Sequence, residues 1–244
     1  MSLYAWFMVV LLTILFSLFG ILVLPFSLFL DRGTRHLMHG VAVGWAHAVM
    51  GTSPLWRVDI EGRENIVPGR PYVIVANHQS LLDIFIVLAA LPVHFKFMAK
   101  KELFPIPFIG WHMALAGYIP IDRGSHESGK GAMITARRWI AKGVSVLFFP
   151  EGTRSRDGRI QDFKMGGFKV AQEEKVEVLP VVIEGTGDAV PKKSWRLRKA
   201  TRFVLSIGKP VRVEGTNYDA LKKSQERVRE EMVHRLARIR GQRK

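Results

Sequence analysis

The chain has 244 residues, 48% of them hydrophobic, and a formal net charge of +15 at pH 7. This length suits one large domain or two small ones, with enough apolar residues for a substantial core. The sequence contains no cysteine, which excludes disulfides, a cysteine nucleophile and a cysteine-based metal site.

The first 30 residues contain no Asp, Glu, Lys, Arg or His. A helix of about 20 apolar residues spans the hydrocarbon core of a bilayer, so this stretch predicts membrane attachment rather than a buried core helix. A charged turn (31–35) follows, and residues 37–56 again lack formal charges. Either the two apolar helices form a hairpin within one leaflet, or the first spans the bilayer and the second lies along its surface.

All Lys and Arg residues lie after residue 30. A charge of this size suits nucleic acid, anionic lipid and polyphosphate ligands equally well. The apolar segment favours lipid, so we expect contacts with anionic membrane lipids and no nucleic-acid partner. The basic body of the chain also favours the cytoplasmic face of a cell inner membrane, or an equivalent membrane, by the positive-inside rule.

Short β-rich runs alternate with helical patterns in the rest of the chain. The candidate strands are residues 56–62, 72–77, 94–100, 144–150, 178–185 and 202–213. The candidate helices are residues 80–91, 131–143, 166–174 and the amphipathic 218–240. Apolar strands with interleaved helices predict an α/β fold, with a mostly parallel twisted sheet flanked by helices. We divide the chain into a membrane-anchoring helix pair (1–54), an α/β domain (55–215) and a basic amphipathic C-terminal helix (216–244).

The stretch "YVIVANHQSLLD" (72–83) changes from apolar to polar where a strand meets a helix. Ser80 with Asp83 three residues later resembles a capping box, in which side chains satisfy the free N–H groups of a helix start. Because helical side chains lean towards the N-terminus, Asp83 also points back at His78. A carboxylate that accepts from one imidazole nitrogen leaves the other nitrogen free to take a proton. These residue types alone leave both interpretations open.

The His-x4-Asp of "NHQSLLD" resembles the first motif of the glycerolipid acyltransferases. Three further blocks are similar to that family's motifs in the same order: residues 99–123, "FFPEGTRSR" (148–156) and "VLPVVIEG" (178–185). The resemblance covers residues 55–190 and implies a glycerol-3-phosphate acyltransferase-like fold. It also implies transfer of a fatty acyl group from acyl-CoA or acyl-carrier protein to the sn-2 hydroxyl of lysophosphatidic acid, which gives phosphatidic acid.

The resemblance assigns roles to residues of these motifs. It implies that His78 is the general base and that Asp83 orients it, while the acceptor hydroxyl attacks the acyl group directly. No G-x-S-x-G elbow is present, which disfavours a serine hydrolase. Arginine suits a phosphomonoester through bidentate contacts. The residues that it marks for binding the acceptor are Lys100, Arg123, Glu151, Gly152, Thr153 and Arg154.

Other features bear on the donor and on the transition state. Backbone N–H groups after His78, at the start of the helix, are candidate oxyanion donors. The apolar residues 104–118 either line an acyl groove or belong to the core. Residues 189–213 are rich in Lys and Arg and contain no acid, which fits lipid headgroups, CoA phosphates or an acidic carrier protein. We expect no metal and no cofactor besides the acyl donor.

Three alternatives remain open from the sequence. An acyltransferase for another lyso acceptor, such as a lyso-aminolipid or a lysophospholipid, would share these motifs. A membrane-tethered nucleic-acid-binding protein would account for the charge, and would show salt-sensitive affinity for DNA or RNA without acyl transfer. A metal site at His36, His39 and His47 has tolerable helical spacing but lacks nearby carboxylates other than Asp31.

Overall fold

The computed structural model describes residues 2–31, 33–53, 56–122, 124–190, 196–197, 202–215 and 217–242. Within these ranges the strands are β1 (Arg57–Glu61), β2 (Tyr72–Ala76), β3 (Phe95–Lys100), β4 (Ile119–Ile121), β5 (Ser145–Phe148), β6 (Glu177–Glu184) and β7 (Arg202–Ile207). The helices are α1 (Ser2–Leu30), α2 (His36–Gly51), α3 (Leu82–Ala90), α4 (Ile109–Leu115), α5 (His126–Ala141), α6 (Gly166–Glu173), α7 (Thr186–Ala189) and α8 (Tyr218–Gln242).

The strands form one sheet in the order β1-β7-β6-β2-β5-β3-β4. Neighbouring pairs from β6 through β2, β5 and β3 to β4 are parallel, whereas β7 is antiparallel to β6, and β1 is parallel to β7. Central strands of a parallel sheet are covered on both faces, which explains why every residue of β2 is buried. This architecture confirms the predicted α/β fold with a mostly parallel sheet.

Two apolar layers cover the two faces of the sheet. Alternation along β2 divides its side chains, since Tyr72, Ile74 and Ala76 belong to one layer and Val73 and Val75 to the other. The first layer also contains buried residues of α2 and α3. The second contains those of α5, α6 and α8. Helix α8 therefore packs on the domain through the apolar stripe that its sequence predicts, which consists of Leu221, Val228, Met232, Leu236 and Ile239.

The first helix differs from the others in its exposed apolar surface. Helix α1 is long and apolar enough to cross a membrane, and most of its side chains are not buried inside the protein. Its buried positions are the small residues Ser17, Gly20 and Ser27. Gly20 lies against His112 of α4, whose Nδ1 would be only 3.1 Å from an added Cβ atom. Small residues thus let α1 approach α4 closely.

Several element bounds differ from the sequence prediction. Helix α3 spans Leu82–Ala90 rather than 80–91, and α5 begins at His126 rather than at 131 because Ser125 caps it by accepting from the Ser128 N–H at 3.1 Å. The last strand ends at Ile207 rather than at 213. Pro210, which has no N–H to donate, follows shortly after, and the chain then makes a single antiparallel bridge from Val211 to Val178.

Lys96 of strand β3 is completely buried, and its side chain reaches the turn between α1 and α2. Lys96 lies over the Trp139 ring at 4.9 Å, and its Nζ is 3.4 Å from the Arg35 carbonyl oxygen and 3.2 Å from His94 Nε2. Burial, reinforced by the positive charge of Arg35 and opposed by Asp31, lowers the pKa of Lys96 to about 7. Burial and the neighbouring Lys96 lower the pKa of His94 to about 3. The fold therefore disfavours the charged forms of both groups.

This lowered pKa makes stability depend on pH. Above about pH 7 the folded chain releases the Lys96 proton while the unfolded chain keeps it up to about pH 10, so stability rises with pH in that window. We expect the unfolding temperature of wild type minus that of Lys96→Met to increase by roughly 5 °C between pH 6 and pH 9. Thermal unfolding in detergent measures it, with the exposed Lys169→Met as the control. A difference that stays constant with pH would contradict the assignment.

Candidate active site

His78 lies just after the carboxyl end of β2, in the connection to α3, and Asp83 lies in the first turn of α3. Crevices at this edge of a parallel sheet are where α/β proteins commonly bind ligands. His78 Nδ1 is 2.7 Å from Asp83 Oδ2. The Asp83 side chain is fully buried, whereas the His78 side chain retains 11% of its exposure. The structure therefore brings together the two residues that the sequence predicts as a pair.

The Asp83 carboxylate also organises the backbone around it. Its Oδ2 accepts from the N–H groups of Gln79 at 2.7 Å and Ser80 at 2.9 Å. Its Oδ1 accepts from the Thr186 hydroxyl at 2.5 Å. The capping interaction and the histidine contact thus share one carboxylate. The prediction that backbone N–H groups after His78 serve as oxyanion donors is wrong for Gln79 and Ser80, because both already donate to Asp83.

The His78 ring is fixed from a second side. The Phe149 ring stacks on it, with centroids 4.1 Å apart and an angle of 21° between the planes. A buried anionic carboxylate at Nδ1 favours the tautomer with its proton on Nδ1. The geometry therefore leaves Nε2 as a hydrogen-bond acceptor. Such a nitrogen can take a proton from a hydroxyl group.

Glu151 braces the His78 backbone from the loop that follows β5. Its Oε1 accepts from the His78 N–H at 2.9 Å, and its Oε2 accepts from the Gln161 N–H at 3.1 Å. The Ser155 N–H donates to the His78 carbonyl oxygen at 2.7 Å. Burial raises the pKa of Glu151, and the hydrogen bonds from the His78 and Gln161 N–H groups oppose this rise. Both oxygens of Glu151 contact backbone groups, so Glu151 shapes the site through the loop.

Residues 152–154, which follow Glu151, form a tight turn. Gly152 has a φ of +72°, which favours glycine, and Lys164 packs so closely that an added Cβ would lie 3.0 Å from its Cε atom. Thr153 is exposed and Arg154 is half-buried. Arg154 therefore lies in the chain between Glu151 and Ser155, the two residues whose contacts hold the His78 backbone.

Two further predicted cationic residues, Lys100 and Arg123, belong to the sequence block 99–123. Lys100 ends β3 and pairs in register with Ile121, the last residue of β4. Its Nζ is 3.0 Å from Glu102 Oε1, and both side chains are exposed. Arg123 lies outside the described residues, so the structure provides no position for it. Its neighbour Asp122 accepts from the Gly124 N–H at 3.0 Å.

Strand β6 supplies contacts that sequence reasoning did not assign. Asn77 pairs with the Ile183 backbone, accepting at 2.7 Å and donating at 2.9 Å. Gln79 Nε2 donates to the Ile183 carbonyl oxygen at 3.2 Å and to Glu184 Oε2 at 3.0 Å. Thr186, which contacts Asp83, follows directly after the block 178–185. The similarity of that block to a family motif was the available signal, but it indicated a strand and not these partners.

The apolar and basic segments have mixed environments. Within 104–118, Met113, Ala116 and Tyr118 are buried in the core, while Ile106 and Trp111 are exposed. The segment therefore contributes to the core and also presents apolar surface. The described basic residues of 189–213 lie on the surface, and these are Arg196, Arg202, Lys209 and Arg212. The others in that patch, together with Trp195, lie outside the described residues.

The histidines considered as metal ligands have aromatic neighbours. The ring centroids of His36 and His39 lie 4.8 Å and 4.9 Å from that of His94. Burial lowers the pKa of His39 well below its usual value, with further contributions from His94 and Lys96. Over the part of the chain that the structure describes, no group of three or more His, Asp or Glu residues is arranged to hold a metal ion.

Comparisons with known proteins agree with one another. The family model described as Acyltransferase matches residues 57–184. The crystal structure of the 1-acyl-sn-glycerophosphate (LPA) acyltransferase PlsC from Thermotoga maritima is similar, with a TM-score of 0.79 and 30% sequence identity, over 97% of this chain and 94% of that chain. The matched family region contains both His78 and Asp83.

Two sequence relatives extend the comparison to eukaryotes. The chloroplastic 1-acyl-sn-glycerol-3-phosphate acyltransferase of Arabidopsis thaliana is 39% identical over 81% of this chain and 54% of its own length. The 1-acyl-sn-glycerol-3-phosphate acyltransferase of Saccharomyces cerevisiae is 33% identical over 85% of this chain and 69% of its own length. The chain thus spans about half the length of the plant and algal relatives that it matches.

Proposed function

The chain belongs to the acyltransferase family, and from that premise we propose that it transfers a fatty acyl group from a thioester donor to the sn-2 hydroxyl of lysophosphatidic acid. The product is phosphatidic acid. The observation that carries this proposal is the 2.7 Å contact between His78 Nδ1 and the buried Asp83 carboxylate, which leaves Nε2 as a base. The names of the similar proteins support lysophosphatidic acid as the acceptor.

The proposed reaction needs one proton acceptor and no covalent enzyme intermediate. His78 Nε2 takes the proton of the acceptor hydroxyl while that oxygen attacks the thioester carbonyl carbon. The tetrahedral intermediate collapses with cleavage of the C–S bond, and the imidazolium returns its proton to the departing thiolate. Asp83 stabilises the imidazolium between these steps, and general-base assistance of this kind is worth about 10²–10⁴ in rate.

A phosphate-bearing acceptor needs fixed positive charge near the base. Arg154 lies in the turn after Glu151, whose carboxylate holds the His78 N–H at 2.9 Å. A guanidinium there could hold the phosphate through two parallel hydrogen bonds. Together with Gly152 and Thr153 of the same turn, Arg154 forms the proposed acceptor site. Lys100, at the end of β3, and Arg123 are proposed as further phosphate contacts.

The proposed setting is a membrane surface. Helix α1 is long and apolar enough to enter a bilayer, where both the lyso acceptor and its product reside. A net charge of +15 would draw the remaining domain towards anionic lipids. The proposed location is the cytoplasmic face of an inner membrane or its equivalent, with acyl-CoA or acyl-carrier protein supplied from the aqueous side. No cofactor enters the proposed reaction.

Product analysis tests the acceptor and the donor together. Purified protein in detergent is incubated with lysophosphatidic acid and either acyl-CoA or acyl-carrier protein, and phosphatidic acid is quantified by mass spectrometry. We expect turnover with at least one of these donors. Parallel reactions contain lysophosphatidylethanolamine, lysophosphatidylcholine or a lyso-aminolipid. Faster turnover with one of these acceptors would replace lysophosphatidic acid in the proposal, and no product with any acceptor would overturn it.

Arg154→Ala tests how the acceptor phosphate is bound. We expect the KM for lysophosphatidic acid to rise by about tenfold or more, because a charged hydrogen-bond partner of the phosphate is lost. The KM for monoacylglycerol, which lacks the phosphate, should change by less than about twofold on the same reasoning. Arg159→Ala is the matched control, since this side chain is 82% exposed in the same loop. An equal change for both acceptors would refute phosphate binding by Arg154.

A further inference from the structure

Helix α8 fastens the loop of residues 151–165 through a row of side chains. Gln225 Nε2 donates to the Phe163 carbonyl oxygen at 2.6 Å, and Arg229 Nε donates to that of Gln161 at 3.1 Å. The Nη2 atom of the same Arg229 donates to the carbonyl oxygen of the preceding residue, Ile160, at 3.4 Å. These bonds fix the backbone of residues 160–163 in the second half of the loop.

Arg240 contacts the loop at Gly158 and, at the same time, the end of β6. Its Nη2 donates to the Gly158 carbonyl oxygen at 2.8 Å and to Glu184 Oε2 at 3.0 Å. Gly158 has a φ of +74°, and an added Cβ would lie 2.7 Å from the same Nη2 atom. Glycine therefore permits both the turn and the close approach of the guanidinium. One nitrogen of α8 joins this loop to the end of β6.

The two partners of Arg240 both lead to the His78 connection. Glu184 is buried, and its Oε2 also accepts from Gln79 Nε2, next to His78 in the chain. The loop reaches His78 on its own side, where the Ser155 N–H donates to the His78 carbonyl oxygen. Gln79 makes a second bond, to the Ile183 carbonyl oxygen, that does not involve Arg240. Loss of Arg240 should consequently loosen the loop more than the His78 connection.

We propose that Arg240 is a positioning residue that sets the 151–165 loop, and with it Arg154, relative to β6 for binding of the acceptor. The inference rests on the proposed function for what the loop binds. Helix α8 lies outside residues 57–184, the region that the family model matches. In this proposal, the acceptor site depends on a side chain of α8, which comes after the matched region and is separated from it by α7 and β7.

Hydrogen–deuterium exchange tests the positioning without reference to activity. Arg240→Ala is compared with Arg238→Ala, which removes an ion pair to Glu61 from the same helix but has no bond to the loop in the described contacts. We expect faster exchange across 152–162 in Arg240→Ala, and wild-type exchange there in Arg238→Ala. Gly158→Ala should reproduce the Arg240→Ala pattern, because it displaces the guanidinium from the other side. Equal loop exchange in the two arginine variants would overturn the inference.

Kinetics then connect the loop to the acceptor. We expect Arg240→Ala to raise the KM for lysophosphatidic acid about tenfold, because Arg154 belongs to the loop. We expect kcat to change by less than about twofold, because the Nδ1 contact of His78 with Asp83 does not involve the loop. Arg240→Lys should recover part of the affinity, since one ammonium nitrogen can serve both acceptors. A fall in kcat with KM unchanged would overturn the positioning role. Absence of activity in wild type would instead refute the proposed function, and the exchange experiment would still decide the role of Arg240.

Discussion

His78→Ala is expected to lower kcat for phosphatidic acid formation by about 10³-fold, within the range that general-base assistance supplies. The His78 ring has the buried Asp83 carboxylate at Nδ1, which leaves Nε2 to accept the proton. The fold should persist, because both His78 hydrogen bonds to Glu151 and Ser155 come from the backbone and remain. The rate of product formation under saturating donor and acceptor is the measurement.

His234→Ala serves as the control for this loss. That histidine is exposed on α8, and its removal should leave kcat within about twofold of wild type, as expected for a surface substitution. Thermal unfolding of both variants establishes that they are folded. A His78→Ala protein that retains more than about a tenth of wild-type kcat would show that the imidazole is not the base, since such a base contributes at least about 10²-fold.

Asp83→Asn is expected to lower kcat by about 10²–10³-fold with little change in fold. The amide oxygen can replace Oδ2 as acceptor for the Gln79 and Ser80 N–H groups, and the Thr186 hydroxyl can turn to accept from the amide nitrogen. The negative charge beside His78 is then missing. The imidazolium that forms during transfer therefore loses its stabilising partner, although the hydrogen-bond geometry is preserved.

The comparison that isolates this charge is Asp83→Asn against Asp162→Asn. The Asp162 side chain is 99% exposed at the surface, so its loss of charge should leave kcat within about twofold of wild type. Unfolding temperatures of the two variants should lie within a few degrees of each other. A normal kcat in folded Asp83→Asn would limit Asp83 to the role of a helix cap.

The central parts of the fold follow from local sequence patterns. The interiors of strands β2, β5 and β6 are continuous apolar runs because helices cover both of their faces, and such runs are visible without any knowledge of partners. The α8 stripe follows from helical periodicity. By contrast, β4 has three residues and was not predicted, since a strand so short carries too little pattern. Helix α4 follows Phe108 at a positive φ of 64°, which its side chain does not indicate.

The candidate site shows the same division between local and distant contacts. The His78–Asp83 pair could be predicted because five positions across a helix start bring the side chains together. Thr186 and Glu184 could not, since they contact Asp83 and Gln79 from 103 and 105 positions away. Arg240 could not, since it is linked to the site only through its contacts with Glu184 and Gly158. Glu151 was predicted as an acceptor residue from its motif, but its bonds to the His78 and Gln161 N–H groups depend on how two loops meet.

Composition alone does not distinguish the environments of the two apolar helices, α1 and α2. Residues of α1 and α2 both lack acidic groups, and the sequence predicts an anchoring pair. In the structure α1 presents most of its apolar side chains outward, whereas Met38, Ala42, Ala46 and Val49 of α2 join the layer that covers the sheet. An apolar residue that faces lipid and one that faces the core look alike in a single sequence.

Thiol release from the acyl donor by wild-type protein, with and without lysophosphatidic acid, tests the central claim most directly. Direct attack by the acceptor hydroxyl predicts that release requires the acceptor and equals the phosphatidic acid formed, mole for mole. It also predicts no early burst of thiol when the acceptor is absent, because no acyl-enzyme accumulates. A burst stoichiometric with enzyme, or steady release without acceptor, would contradict transfer from donor to acceptor with His78 as the base.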